Sequence, residues 1–356
     1  MLAADTVTFA LLSPYAGTVA DRVDRRALIA GCEGVSALLV LLLLLVRDGS
    51  TVWVALLAFA GLAGAKAFTM PASQAALPNL VPAQDLALAN VMSGAAWGSM
   101  LAVGAALGGL AATAFGVRAC FLIDAASFVV SALLVARCRR PFQQPRDGRE
   151  HAGFRADVAE AVHYARGQRR VLALLACKPG VAFANGALVL FPLLADGVFH
   201  TGAAGLGLLF AARGLGALLG PLLLGARARE EPAMWWWLAG AVGSCGLLYV
   251  GVALAPVFGV ALVLVALAHL GGGANWTISS YGLQRCVPDR VLGRVASADF
   301  MLCTLVIAAN QTLAGVLSGV LPTRLLVGAF GAASLLYALG WSAATRSLRR
   351  PVLTGA

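Results

Sequence analysis

Apolar residues run along this chain in long, nearly uninterrupted blocks rather than in the alternation expected of strands. Runs such as GVSALLVLLLLLV at 34–46 and AVGSCGLLYVGVALAPVFGVALVLVALAHL at 241–270 belong to blocks long enough to cross a bilayer core, which takes roughly 20 apolar residues. Hydropathy and helix breakers predict eleven helices, near 4–20, 27–46, 52–71, 87–113, 119–136, 171–195, 203–226, 233–254, 256–278, 296–320 and 323–345. The first carries Asp5 and Pro14 and has the weakest signal. The fold class expected is an all-α polytopic membrane protein, and the alternating pattern of an outer-membrane barrel is absent.

Composition sharpens this picture. The chain has 356 residues, 60% of them hydrophobic and 12% charged, with a mean hydropathy of +0.86. Soluble domains carry about twice that share of charge. The formal net charge is +10, and its placement argues for topology rather than nucleic acid. One set of loops holds Arg22, Arg25, Arg26, nine arginines between 137 and 170, and Arg227, Arg229, Arg285, Arg290, Arg294, Arg346, Arg349 and Arg350. The opposite set holds only Arg47, Arg118 and Arg324. The positive-inside bias makes the first set cytoplasmic, with the C-terminus inside and the N-terminus outside.

The hydrophilic stretch divides the chain into a five-helix N-terminal bundle (1–136), a cytoplasmic linker (137–170), a six-helix C-terminal bundle (171–346) and a cytoplasmic tail (347–356). Within the linker, Phe154, Val158, Val162 and Ala165 recur at helical spacing, so 153–166 reads as an amphipathic surface helix, with a disordered linker as the alternative. Residues 77–92 (LPNLVPAQDLALANVM) and 283–298 (LQRCVPDRVLGRVASA) align at an offset of 206, which makes the halves parallel repeats of six helices. The same offset places a counterpart of the 171–195 helix before Met1. The expectation is therefore a twelve-helix design lacking its first helix, through a misassigned start or a truncation. No cleavable leader is expected either, since a basic n-region and a small-residue cleavage site are lacking.

Several chemistries are excluded by the residues present. The two lysines, Lys66 and Lys178, do not follow glycine, so no Walker A phosphate loop exists. Seven scattered cysteines form no CxxC pair, arguing against structural zinc or a disulfide framework. No G-x-S-x-G or HExxH occurs, and the four histidines (151, 163, 200, 269) are spread apart. Neither an enzyme, a metal nor a cofactor is expected.

The loop GTVADRVDRR, from Gly17 to Arg26, resembles the signature loop of the major facilitator superfamily, G-x-x-x-D-R-x-G-R-R. Gly17, Asp21, Arg22, Arg25 and Arg26 match, while Asp24 stands where the pattern has Gly. That variant is similar to the drug-exporter and siderophore-exporter branch, as are FLIDAASF (121–128), AARGLGALLGPLLLG (211–225) and GGGANWTISSYGLQRCVPDRVLGRV (271–295). The G-P-x-x-G-G pattern of the family's exporters is not met: residues 104–109 read GAALGG, with Ala105 at the proline position. The resemblance implies two helical bundles rocking about a central cavity, and proton-coupled efflux of a small hydrophobic or amphiphilic molecule. It also implies a monomer in a bacterial inner membrane, with small-molecule substrate, protons and lipid as partners and no nucleic acid. A facilitator or importer of the same fold, or a non-transporting remnant or scaffold, are the alternatives.

Gly17 is expected to let the two adjacent helices approach at the turn. By the resemblance, Asp21 faces the positive N-terminal end of the 296–320 helix and latches the halves when the cytoplasmic side is closed. Arg22, Arg25 and Arg26 anchor to headgroups or to acidic neighbours.

Ionisable residues at bilayer depth cost at least about 2.5–3.5 kcal/mol on insertion scales, so each asks for a partner or a function. Asp5, Asp124, Arg213 and His269 are the proton-coupling candidates. A desolvated Asp124 can exchange a proton or act as a helix cap, and His269 can shuttle protons or pack as a core residue. Arg213 can bind an anionic substrate group or pair with Asp124 or Asp5. Snorkelling accounts for Lys66 and Lys178. Asn185, Asn275, Asn310 and Gln311 either bond between helices or line the substrate cavity, where Trp97 and Trp276 flank a hydrophobic substrate. Trp235–Trp237 read as an interfacial belt.

Overall fold

The computed structural model describes Thr8, Leu12 and residues 15–144, 154–225 and 233–349, and these are helical almost throughout, with no strand among them. The helices are α1 (15–22), α2 (Arg25–Leu42, continued by a 3-10 turn to Leu45), α3 (Val52–Leu80), α4 (Leu86–Phe115), α5 (Val117–Arg137) and α6 (Phe154–Gly167). They continue as α7 (Arg169–Val198), α8 (Gly202–Leu224), α9 (Ala233–Leu254), α10 (Phe258–Cys286), α11 (Asp289–Leu317) and α12 (Thr323–Ala344). Ten helical spans among the described residues are long and apolar enough to cross a membrane. The eleventh expected span, near 4–20, falls largely outside the described residues, as does Asp5.

Several boundaries differ from the sequence expectation, and for definable reasons. α3 does not stop at 71 but runs on through Pro71 and Pro78. Its 29 residues reach about 44 Å at ~1.5 Å per residue, well beyond the ~30 Å hydrocarbon core. α10 and α11 extend likewise at their arginine-rich ends, to Cys286 and from Asp289. Hydropathy follows the apolar core and so underestimates helices that project past it. α7 is the opposite case, a broken helix with α-helical pieces at Arg169–Leu175 and Cys177–Ala184, then a 3-10 stretch at Asn185–Leu190 and a π turn at Leu194–Val198. Pro179 and Pro192 lack the amide that a regular ladder needs.

Local chemistry explains the connections. Asp24 caps α2, its side chain accepting from the amides of Arg26 and Ala27, which gives the residue standing at the pattern's Gly a definite task. Asp48 caps the entry to α3 in a capping box with Thr51. Gly116, at φ +80°, makes the tight α4–α5 turn that a side chain would resist.

Backbone packing divides the chain into two compact units that cut across the two sequence halves. Unit 1 comprises Met1–Ala83, Ala106–Arg169 and Leu283–Leu305; unit 2 comprises Gln84–Ala105, Arg170–Gly282 and Val306–Ala356. Unit 1 thus takes the start of α11 from the second half. A cluster of Ala20, Ile29, Ala72, Ala76 and Phe142 forms part of its core. The approach of α1 to α11 is close: a Cβ on Gly17 would meet Ser297 Cβ at 2.6 Å and Arg294 Cα at 2.9 Å. The close approach at Gly17 is therefore to α11, not to the neighbouring α2 as expected from the turn.

Unit 2 takes the start of α4 from the first half. There a Cβ on Gly98 would run into the backbone at Leu218 of α8. α9 and α12 meet glycine to glycine, with a Cβ on Gly246 or on Gly331 finding the other's carbonyl oxygen at 2.8 Å. One face of α12 supplies donors to the irregular α7. Ser334 Oγ donates to Gly180 O (2.7 Å), Tyr337 OH to Ala176 O (2.7 Å) and Trp341 Nε1 to Ala173 O (2.9 Å). Trp235 is buried against Trp341, with ring centroids 6.3 Å apart, so an interfacial belt does not account for it.

Candidate functional site

Two clusters of polar side chains stand out, one in each unit. In unit 1 the centre is Arg25, the first residue of α2 and 1% exposed. Its Nε donates to Ala20 O (3.1 Å), Nη1 to Ala75 O (3.0 Å) and to Asp289 Oδ1 (2.7 Å), and Nη2 to Asp21 Oδ1 (3.1 Å) and to Asp289 O (3.0 Å). A guanidinium has five N–H donors in a fixed fork, and here every one of its nitrogens is engaged.

Asp21 sits against the first turns of α11. Its Oδ1 accepts from Gly293 N (2.8 Å), and its Oδ2 from Arg294 N and Arg294 Nε (both 3.1 Å). Burial pushes the carboxyl up to about 6, against the downward pull of Arg25, Arg294 and their hydrogen bonds. At neutral pH Asp21 is therefore ionised and the ionic contacts are made. Asp289 opens α11, where the helix dipole favours an anion, and also accepts from Asn79 Nδ2 (2.8 Å) and Gln144 N (3.2 Å). Arg294 Nη1 reaches Glu160 Oε2 of α6 at 3.1 Å. Tyr164, one turn further along α6, donates to Cys286 O at 2.8 Å. The polar side of α6 is therefore anchored on protein. Of the apolar stripe expected for this helix, Ala165 is buried and Val162 exposed, while Phe154 and Val158 lie outside the described side chains.

Of the other loop arginines, Arg26 donates from Nη2 to Arg140 O at 2.9 Å and its guanidinium lies 5.5 Å from the Phe142 ring centroid. Arg22 is partly buried at the end of α1.

In unit 2, Trp97 of α4 and Trp276 of α10 lie parallel, with centroids 6.4 Å apart and planes 5° apart. Lys178 Nζ sits 4.7 Å over Trp276 and 3.1 Å from Ser280 Oγ. Lys178 is 1% exposed, so it does not snorkel; cation–π and hydroxyl contacts hold it inside. Lys66, by contrast, is exposed on α3.

Further along the same unit, His269 Nε2 shares a hydrogen bond of 2.8 Å with Tyr249 OH, both buried. Arg213 of α8 lies within electrostatic reach of this pair. Its Nε is buried without a hydrogen-bond partner among the described residues.

The neutral candidates are scattered in what they do. Asn275 Nδ2 donates to Cys177 Sγ at 2.8 Å, Asn310 Nδ2 bonds back to Val306 O of its own helix at 2.7 Å, and Asn185 Oδ1 is buried without a partner among the described residues. Gln311 is partly buried, and Asp124 is exposed on α5, its carbonyl accepting from Ser127 Oγ at 2.7 Å. Asp289, Asn79, Glu160, Tyr249 and Ser280 were not among the sequence candidates. Asp289 had a readable signal, since Asp289-Arg290 repeats the Asp21-Arg22 pair. No group of three or more His, Cys, Asp or Glu suited to a metal occurs among the described residues.

Ten apolar helical spans, with a signature loop tied by buried ion pairs to a helix of the other sequence half, define the class as a polytopic helical membrane protein. The Major Facilitator Superfamily model matches residues 1–310, and the chain belongs to that family. It is 28% identical over 126 residues to YkuC of Bacillus subtilis (strain 168), described as an uncharacterized MFS-type transporter; the match spans 35% of this chain and 29% of that protein.

Among solved structures, the human organic anion transporter MFSD10 (TETRAN) superposes with a TM-score of 0.78 at 18% identity, covering 95% of this chain and 82% of that one. A bacterial homologue of the iron transporter ferroportin, in an outward-facing state, gives 0.73 at 16%, covering 97% and 89%. The E. coli fucose:proton symporter FucP gives 0.66 at 15%, covering 96% and 89%. At these identities the likeness establishes the fold.

Proposed function

We propose that the chain is a secondary active transporter that exports a small hydrophobic or amphiphilic molecule in exchange for protons, by alternating access. The observation that carries this reading is the ion network of unit 1. It joins the end of α1 and the start of α2, in the first sequence half, to the start of α11, in the second. A junction between the two halves held by charged side chains can be made and broken as the halves rock, which makes it a latch on the arginine-rich side. The positive-inside bias makes that side cytoplasmic in a bacterial inner membrane. The structural relatives are an organic anion transporter, a bacterial homologue of an iron transporter and a fucose:proton symporter; fold alone does not choose among such cargoes. The exporter-like sequence motifs support outward transport, and drug resistance or metabolite secretion is its cellular readout.

The test uses everted vesicles containing the full chain and a fluorescent amphiphilic dye. Dye movement should require an imposed ΔpH and stop on adding an uncoupler. Transport that persists in uncoupler overturns the coupling, and counterflow from the wrong side overturns export.

A further inference from the structure

Away from their ends, the spans of unit 2 hold two cations, Lys178 and Arg213, and very little negative charge. In its whole sequence the unit has four carboxylates, Asp85, Asp196, Glu230 and Glu231. Asp85 precedes α4, Asp196 is exposed near the end of α7, and the two glutamates lie between α8 and α9, outside the described residues. The membrane-spanning parts of α8, α9, α10 and α12 contain no Asp or Glu at all. Lys178 is accommodated by Trp276 and Ser280. Arg213 is not accommodated in any comparable way.

It stands eleven residues into α8, which is about 17 Å of helix at ~1.5 Å per residue. At that depth a guanidinium asks for an anion. The groups near it are Tyr249 and His269, which satisfy each other at 2.8 Å and bring no negative charge. Its Nε is buried and unpartnered among the described residues, while the residue as a whole is only partly buried. The side chain makes no hydrogen bond to another described residue, so its N–H donors are left for an incoming group. A planar fork of N–H donors fits a carboxylate, sulfonate or phosphate bidentately.

We propose that Arg213 is an anion subsite, and that the transported molecule is an amphiphilic organic anion whose acidic group docks on its guanidinium. The Tyr249–His269 pair acts as a positioning element near it: buried, bonded within itself, and without a carboxylate to take the place of the substrate's acid. Trp97 and Trp276, parallel in the same unit, offer an aromatic surface for an apolar body. This inference rests on the transport reading for its physiological meaning, but binding alone can test it.

The probes are three naphthalenes that differ only in charge: 1-naphthoate, 1-naphthalenemethanol and 1-naphthylmethylammonium. Their binding to the purified full chain is measured by calorimetry at pH 7. Naphthoate should bind about tenfold more tightly than the alcohol, which is one charge-assisted hydrogen-bonded contact's worth. Arg213→Gln should remove that preference while leaving alcohol binding unchanged. Arg213→Lys, which keeps the charge and loses the fork, should weaken naphthoate severalfold, and it serves if the glutamine variant does not reach the membrane. Equal affinity of all three probes, no saturable naphthoate binding, or an equal loss for every probe in the variants overturns the subsite. Charge-ordered binding without movement of naphthoate in vesicles leaves the subsite standing and overturns transport. Movement of the alcohol or the ammonium with no naphthoate preference does the reverse.

Discussion

In unit 1, Arg25 meets Asp289 at 2.7 Å and Asp21 at 3.1 Å, and Arg294 meets Asp21 at 3.1 Å and Glu160 at 3.1 Å. In unit 2, Arg213 meets no carboxylate among the described residues, and its neighbours Tyr249 and His269 are bonded to each other. Both arginines are embedded in an apolar helical protein, yet one is over-determined by its surroundings and the other under-determined. A cation fixed by opposite charges on several helices is suited to hold those helices together. A cation without an intramolecular anion is suited to receive one. On the transport reading proposed above, latch chemistry and cargo chemistry belong to different units.

The largest effects expected would break this comparison directly. Arg25→Ala strips Asp21 and Asp289 of their shared buried cation and leaves carbonyls of α1 and α3 without their donor. Removing one partner of a buried pair costs about 3–5 kcal/mol, to be read as a drop in the unfolding midpoint of the purified protein. Arg213→Leu should act in the opposite sense, neutral or stabilising by about 1–3 kcal/mol, because it removes a desolvated charge that no described residue offsets. If both variants destabilise equally, Arg213 has an intramolecular counter-ion and the contrast between the units collapses.

A smaller effect sharpens the geometry of unit 1. Gly17→Ala places a methyl where Ser297 Cβ lies 2.6 Å away and Arg294 Cα 2.9 Å away. The backbone must shift, at a cost of about 1–3 kcal/mol. The shift pulls Asp21 from the amides of Gly293 and Arg294, so the variant should also become sensitive to salt, which the buried wild-type contacts resist. Gly31→Ala in α2, where nothing lies within 4 Å of the new Cβ, is the control that should show neither change.

How much of this was legible beforehand depends on the range of the interaction. The spans, the signature loop and the linker helix follow from local pattern, because hydropathy and helical spacing are properties of neighbouring residues. The partner of Asp21 was legible only as the start of a helix, and the boundary was misplaced: the 296–320 reading puts Gly293 and Arg294 outside a helix that begins at Asp289. Asp289 itself lies 264 residues from Arg25, and no spacing rule reaches that far. Tyr249 was invisible for a related reason. A tyrosine in an apolar span reads as packing until the histidine 20 residues away is seen to face it. Lys178 misled through the reverse error, since its distance from the helix end suggested snorkelling, while Trp276 and Ser280, about a hundred residues later, are what hold it.

The smallest effect concerns protons, and it tests whether the unit 1 network is as tightly enclosed as its distances imply. Burial raises Asp21 from 3.8 to about 6, so the folded state binds this proton more tightly than the unfolded chain does. The contribution of Asp21 to stability is then fully present below about 4 and is lost as pH rises through 6. Stability should therefore increase on acidification from pH 7 to pH 5, by about 1 kcal/mol from this group. The measurement is the difference in midpoint shift between the wild type and Asp21→Asn over that interval, which cancels the titration of other groups. Asp21→Asn should lack the increment whatever its own stability. The same sign applies to the two states of a transporter: whichever arrangement buries Asp21 against α11 gains when the pH on that side falls. An increment of the opposite sign would mean that Arg25 and Arg294 outweigh burial at Asp21, and the network would then be a purely ionic clasp that acid loosens.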